Sequence, residues 1–244
     1  MSGDLARRDE MGELVARLAG DDLDRRERGR LIARLGGLLA GGVRSAGGRA
    51  ALTGRWLVDA VTDYAPHLPV RDLLTLRDHH GGRSGDELAE ALVAAASRAT
   101  AAIGAAGGAL AAVELAAPPS LLAVPVQLAA ETLAVVAVEL KLVAELHVVY
   151  GRTPTGSRPQ VATAYLMSWA GKRGIDVSGG APSFSTVLGT AARQQLRSRV
   201  LRRLGRNVTT MAPFLAGAVA GAELNRRETR KLGEALLRDL RKAH

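Results

Sequence analysis

The chain has 244 residues, 47% of them hydrophobic, so it can bury a full core as one large domain or two packed halves. The absence of cysteine excludes disulfide frameworks, thiolate metal sites and thiol nucleophiles, and it fits a cytosolic protein. Because only 3% of the residues are aromatic, the interior must form by close approach of small-residue faces, which is typical of packed helices. The N-terminus, MSGDLARRDEMGEL, has no apolar run, so we expect no signal peptide.

The formal net charge of +9 is concentrated at the carboxyl end. Residues 193–244 contain 13 Arg and Lys against 4 Asp and Glu, and 13 minus 4 equals the whole net charge. A basic flank of this kind attracts phosphate groups on anionic lipid or on nucleic acid. The alternative is codon usage in a GC-rich genome, which the ratio of 29 Arg to 4 Lys also fits.

The first part of the chain, residues 1–82, is predicted to be an N-terminal helical region. Either Asp21 or Asp22 is the predicted N-cap of the second helix, and the glycine pairs that begin at Gly36 should weaken or end it. The predicted elements are amphipathic helices around residues 14–18 and 31–39, a helix at 52–64, a short helix at 69–76 and a loop at 78–82.

The second part, residues 83–244, is predicted to be the helical core, with an apolar helical hairpin at its centre. The uncharged runs 99–113 and 115–130 are each shorter than the about 20 apolar residues that a bilayer requires. The predicted elements are a helix from Ser84 or Asp86 to about Thr100, a turn at Pro118–Pro119, a helix ending at Gly151, a helix at 161–170, a loop at 171–182, a basic helix at 183–204, an uncharged stretch at 207–222 and a charged terminal helix.

No stretch alternates apolar and polar residues while rich in β-branched and aromatic types, so a substantial sheet is not expected. The sequence therefore predicts an all-α fold, a multi-helix bundle-like domain in which the parts 1–82 and 83–244 pack together.

The basic helix carries leucine and valine four residues apart on one face and arginines elsewhere, a pattern that suits a helix lying on anionic headgroups. The alternative is a solvated surface helix that packs its apolar face into the core. Nucleic acid is not favoured, because stacking aromatics and a recognisable reader motif are missing. The candidate headgroup-binding residues are Arg193, Arg197, Arg199, Arg202, Arg203 and Arg206.

Two segments have glycines four residues apart, Gly104 with Gly108 and Gly217 with Gly221. Such faces allow two helix backbones to approach closely. The similar surroundings of the two pairs indicate either a weak internal repeat or chance in an alanine-rich chain. In both cases we expect the two segments to pack together, in the interior or against a membrane.

Glu131 and Glu139 lie in otherwise apolar sequence, where an unpaired carboxylate would be costly. They are expected either to pair with Arg or Lys of neighbouring helices or to line a polar pocket, for which Asn225 and Thr229 are further candidates. Lys141 and Glu145 form a local helix pair.

The residues nearest to an acid-base or metal cluster are Asp78, His79 and His80. Adjacent histidines point in different directions and no second cluster accompanies them, so a structural loop is favoured over a catalytic one. No phosphate-binding loop, nucleophile elbow, metal site or cofactor motif is recognised.

The stretch PFLAGAVAGAELNRRETRKLGEA, residues 213–235, resembles the closing segment of the EcsC family. In that family an apolar Pro and Gly-Ala run leads to an Asn, a Thr, and then a Gly and an Ala on one helix, as Asn225, Thr229, Gly233 and Ala235 do here. The apolar middle ending at Tyr150–Gly151 is also similar, so the resemblance covers roughly residues 85–240. It implies a cytoplasmic or membrane-associated helical protein of undefined biochemistry, in a family named for a protein of an ABC-type exporter locus, with no catalytic residues to carry over.

The predicted function is that of a non-enzymatic, membrane-peripheral protein of the cytoplasm, at the inner face of the cell membrane, that binds anionic lipid or an acyl chain. One alternative is an enzyme with a helical acid-base site around Glu131, Glu139 and His79. Another is a soluble scaffold whose glycine faces make homodimer contacts.

Overall fold

A computed structural model describes residues 2–18, 23–46, 68–116, 123–173 and 213–242. All regular structure in these ranges is α-helical, which confirms the predicted all-α, bundle-like fold. The helices are α1 (Ser2–Leu18), α2 (Arg25–Ala46), α3 (Leu73–His79), α4 (Gly85–Ala116), α5 (Ala123–Val149), α6 (Arg158–Lys172) and α7 (Pro213–Lys242).

Helix α5 lies at the centre of the bundle. Every residue from Ala130 to Leu146 is buried, and α1, α2, α4, α6 and α7 all pack against the helix. A helix surrounded in this way has no solvent-facing side along its middle, which explains why its apolar residues are distributed all around it and why its charged residues are buried. The buried core combines its residues with leucines of α1, α2 and α7 and with the alanine-rich face of α4.

Helices α4 and α7 form the most extensive helix pair of the described chain and run antiparallel. As residue numbers rise along α4 they fall along the matching positions of α7. The matched positions are Glu90 with Arg241, Val93 with Gly233, Thr100 with Asn225, and Gly104 with Gly221.

The helix starts in the N-terminal part differ from the prediction. The N-cap of α2 is Asp24 and not Asp21 or Asp22, because the Asp24 carboxylate accepts a hydrogen bond from the Glu27 backbone N–H at 2.7 Å. Helix α2 also continues through Gly36 and Gly37, where packing of its leucine face outweighs their low helix propensity.

Helix α3 begins four residues later than predicted. Asp72 caps it by accepting from the Thr75 backbone N–H at 2.8 Å, so the short helix covers 73–79 and not 69–76. The loop predicted at 78–82 is accordingly shifted to 80–84. Asp78 and His79 belong to α3, and the turn that follows has positive φ angles at Gly81 and Gly82, 66° and 79°.

Two predicted breaks are absent from the described helices. Helix α4 does not end near Thr100 but continues to Ala116, and α7 joins the uncharged stretch from Pro213 onward to the charged terminal helix. Packing of α4 against α7 stabilises glycine- and alanine-rich turns that have little helical preference of their own.

Three predicted elements lie outside the described residues: the helix at 52–64, the turn at Pro118–Pro119 and the basic helix at 183–204. Of the loop predicted at 171–182, the first two residues belong to α6, which ends at Lys172, and residues 174–182 also lie outside the described part. In the described part of the chain, one helical stretch, Gly85–Ala106 of α4, is long and apolar enough to cross a membrane. Since 56% of its most apolar window is buried inside the fold, the same composition also suits a core helix.

Candidate functional site

The carboxylate of Glu139, on the central helix α5, is fully buried. Trp169 Nε1 donates to its Oε2 at 2.8 Å, and Thr229 Oγ1 donates to its Oε1 at 2.8 Å. The Arg173 guanidinium pairs with both oxygens, with Nε 3.2 Å from Oε2. We refer to Glu139, Trp169, Arg173 and Thr229 as the Glu139 cluster.

The end of α6 positions two members of the cluster. Trp169 and Arg173 are four residues apart and so share one face of the helix, the face turned to α5. The Arg173 backbone N–H donates to the carbonyls of Trp169 and Ala170 at 3.1 and 3.0 Å, which closes the last turn of α6. The side chain and the backbone of Arg173 are therefore both fixed.

Arg173 also connects the cluster to the surface. Its side chain is 11% exposed, and its second terminal nitrogen lies 3.3 Å from Oε2 of Glu228 on α7. One buried and one partly exposed carboxylate thus share a single guanidinium, whose planar donor fork suits two acceptors. Through these contacts the cluster joins α5, α6 and α7.

The hydrogen bonds of Glu139 indicate a structural role. A carboxylate that accepts four bonds from Trp, Thr and Arg has its oxygens occupied by protein donors, whereas a general acid or base must reach a substrate. His79 does not belong to the cluster; it is exposed at the end of α3. No group of three or more His, Asp or Glu side chains placed to hold a metal ion occurs in the residues that the structure describes.

The pairing predicted for Glu139 is therefore confirmed, although the sequence did not identify Arg173 and Trp169 as partners. The sequence feature that could have identified these partners is an aromatic hydrogen-bond donor and an arginine four residues apart at the end of a helix. The local pair of Lys141 with Glu145 is also confirmed, at 2.8 Å, and it is buried. Glu131 is buried on the same helix.

Helices α4 and α7 cross at a backbone contact. A Cβ atom on Gly104 would lie 2.5 Å from the Gly221 carbonyl oxygen, so no larger residue fits without separating the helices. Beside the contact, Asn225 Nδ2 donates to the Thr100 carbonyl at 3.1 Å, and Thr100 Oγ1 donates to the Asn225 carbonyl at 3.4 Å. The prediction that the two glycine segments pack together is confirmed.

Asn225 and Thr229, predicted as pocket candidates with Glu131 and Glu139, lie on the buried face of α7. Asn225 bonds across the crossing with α4, whereas Thr229 belongs to the Glu139 cluster. The structure brings Glu139 and Thr229 into direct contact and places Asn225 one turn of α7 away.

The outer face of α7 is covered by ion pairs. Glu223 bonds with Arg226 at 2.8 Å and also with Arg227, and these bonds lower the pKa of Glu223 to about 2. Arg230 pairs with Glu234 at 3.0 Å. Exposed pairs of this kind contribute little to stability, so α7 is held mainly by its leucines and its small-residue face. Arg193, Arg197, Arg199, Arg202, Arg203 and Arg206 lie outside the described residues.

The first turn of α4 and the ends of α5 and α7 meet in a second polar group. Tyr150 Oη donates to Oδ1 of Asp86 at 2.5 Å, and Arg241 lies 3.1 Å from the same carboxylate and 2.9 Å from Glu90. Burial, and then the hydrogen bond to Asp86, raise the pKa of Tyr150. Helices α4, α5 and α7 pack together as a layer, and one end of this layer is therefore strongly charged.

No family model matches the chain, and no curated protein or solved structure is significantly similar to it. The likeness of residues 213–235 to the EcsC family remains a resemblance, and the fold gives its pattern a physical reason. Gly233 packs against Val93, Asn225 against Thr100, and Thr229 against Glu139. These positions of α7 therefore need small or hydrogen-bonding side chains for packing alone.

Proposed function

We propose that the protein is a non-enzymatic, membrane-peripheral helical protein of the EcsC type, which attaches from the cytoplasm to anionic lipid. The single observation that carries the proposal is the concentration of positive charge near the carboxyl end. Attachment of this kind requires no catalytic residues, only a stable helical body that presents arginines to lipid phosphates.

The positive excess lies mostly before α7. Helix α7 holds seven Arg and Lys against four Asp and Glu, a difference of +3, and many of these groups pair with each other on its surface. Residues 193–212 hold six Arg and no acid, a difference of +6. The arginines at 193–206 are thus the part of the chain best suited by composition to attract an anionic surface.

The expected strength follows from the number of arginines. Each Lys or Arg close to an anionic membrane contributes about 1 kcal/mol, so three of the six would contribute about 3 kcal/mol, or about 100-fold in affinity. The attraction weakens with salt, because the screening length is about 10 Å at 0.1 M and about 3 Å at 1 M ionic strength.

Vesicle co-sedimentation with a matched pair of variants tests the proposal. The test variant replaces Arg199, Arg202 and Arg203 by Gln. The control variant replaces Arg26, Arg30 and Arg83 by Gln as well. These arginines are exposed elsewhere on the surface, so the control removes the same net charge. We expect the full chain to sediment with phosphatidylglycerol vesicles and not with phosphatidylcholine vesicles, and we expect 0.5 M salt to release it.

The two variants should then differ. The test variant should bind anionic vesicles about 100-fold more weakly than the unchanged chain, and the control variant should bind within a few-fold of it. Equal recovery on neutral and anionic vesicles, unchanged by salt, would contradict the proposal. Equal weakening in both variants would show that total charge, and not the arginines at 193–206, causes binding.

A further inference from the structure

Three nearly uncharged helical segments of the described structure lie at one end of the bundle. Helices α4 and α7 are antiparallel, so the end of α4 lies beside the start of α7. Glu139 of α5 and Thr229 of α7, which are in contact, each lie sixteen residues after the first residue of their helix. The carboxyl ends of the two helices also lie together, because Tyr150, which follows α5, and Arg241 of α7 both contact Asp86. These two points show that α5 and α7 run in the same direction with their starts level.

This end, beyond the Gly104–Gly221 crossing, consists of residues 105–116 of α4, 123–130 of α5 and 213–220 of α7, and we call it the apolar end. Glu114 is the one ionisable residue in these three ranges. The opposite end carries Asp86, Glu90 and Arg241. The α4–α5–α7 layer is thus polarised along its length, charged at one end and apolar at the other.

Exposure supports a contact surface at the apolar end. Val219 lies within it and is 66% exposed, the most exposed large hydrophobic residue of α7 in the described structure. It lies six residues, or about 9 Å, from the start of α7. Interfacial helices enter the headgroup–acyl boundary to a depth of about 5–10 Å, so Val219 is at a reachable distance.

We infer that the apolar end is the part of the protein that enters the membrane, at the headgroup–acyl boundary of one leaflet. This inference rests on the proposed attachment to anionic lipid and adds its orientation. Glu114 near the end of α4 limits the depth, because a charged side chain at the bilayer centre costs about 3 kcal/mol or more. The charged end of the bundle then faces the cytoplasm.

The distribution of positive charge favours an anionic bilayer, rather than a second copy of the chain, as the partner of the apolar end. The last of the six arginines, Arg206, precedes the first residue of α7 by seven residues, so the positive excess lies next to the apolar end along the chain. Two copies meeting through their apolar ends would bring two sets of like charges together, which is unfavourable. An anionic bilayer offers phosphates beside an apolar interior and satisfies both features.

The absence of cysteine permits a direct test with single labels. Val219→Cys places a nitrobenzoxadiazole fluorophore at the apolar end, and Ser84→Cys places it at the exposed start of α4, at the other end of the bundle. Both labelled proteins are sedimented with phosphatidylglycerol vesicles, and their emission is recorded with and without vesicles and with a lipid-borne spin-label quencher.

The inference expects both proteins to sediment, with a blue shift, a several-fold rise in emission and lipid quenching for the label at Val219 alone. If both sediment and the label at Val219 stays in water, or Ser84 responds instead, the orientation is overturned while attachment to anionic lipid stands. If neither sediments, both fail. A blue shift at Val219 that depends on protein concentration without vesicles would assign the apolar end to self-association and overturn the inference.

Discussion

Removal of the Glu139 carboxylate, which is buried and accepts hydrogen bonds from three side chains, is expected to destabilise the fold strongly. Glu139→Leu leaves a side chain of similar size in the centre of the bundle. The loss of the carboxylate removes the buried partner of Arg173 and the acceptors of Trp169 Nε1 and Thr229 Oγ1. The replacement is therefore an electrostatic and hydrogen-bonding change more than a packing change.

The magnitude follows from what remains around Arg173. Its side chain is 11% exposed and, among the residues that the structure describes, keeps Glu228, at 3.3 Å, as its acidic partner. Breaking a buried ion pair by removing one member costs about 3–5 kcal/mol. Domains of this size lose about 2–4 °C of melting temperature per kcal/mol, so we expect a fall of about 6–20 °C.

Urea unfolding followed by circular dichroism measures the change in unfolding free energy, and a thermal melt measures the fall in melting temperature. The matched control is Glu228→Gln, which removes the partly exposed carboxylate of the same arginine and should cost less than about 1 kcal/mol. The double variant Glu139→Leu with Arg173→Leu tests the cause. If an orphaned arginine explains most of the loss, the double variant should be about 2 kcal/mol more stable than the single variant.

Two outcomes would refute this reasoning. A Glu139→Leu variant within about 1 kcal/mol of the unchanged chain would mean that the ion pair is not buried in solution as the structure has it. A double variant less stable than Glu139→Leu alone would mean that Arg173 stabilises the fold through contacts other than Glu139.

Three further substitutions test the packing of the bundle and the titration of Tyr150. Gly104→Ala should destabilise by about 1–3 kcal/mol, because its Cβ meets the Gly221 backbone, whereas Gly37→Ala, with nothing within 4 Å, should stabilise by about 0.5–1 kcal/mol in urea unfolding. The folded-state pKa of Tyr150 is raised from 10.0, so its contribution to stability is present below pH 10 and is lost as pH rises further. Tyr150→Phe should therefore show a shallower decline of unfolding free energy above pH 10; an equally steep decline would contradict the pKa shift.

The positions of the helix ends show the limit of local reasoning. Asp21, Asp22 and Asp24 are equally good caps by residue type, and only backbone geometry decides that the Asp24 carboxylate reaches the Glu27 N–H. In α4 and α7, the predicted helix end near Thr100 and the predicted division before the charged terminal helix do not occur. There the close approach of two backbones supplies the stability that helix propensity lacks.

The Glu139 cluster was partly predictable for a related reason. A glutamate in a long apolar helix is costly to bury unpaired, so the expectation of a cationic partner, or else of a polar pocket, follows from the sequence. The partners do not, because Arg173 is 34 residues away and Thr229 is 90 residues away along the chain. Several other arginines satisfy the same requirement by composition.

The sequence by itself determined the all-helical class. Small and apolar residues recur at helical spacing, and no segment shows the alternation that a β-strand requires. It also predicted that the glycine faces would pack and that Glu139 would either pair with a cation or line a polar pocket. Only the tertiary structure decided that α4, α5 and α7 bring their apolar segments to one end and their charges to the other. Helix direction and register arise from contacts between residues far apart in the chain, so the local periodicity of the sequence does not predict them.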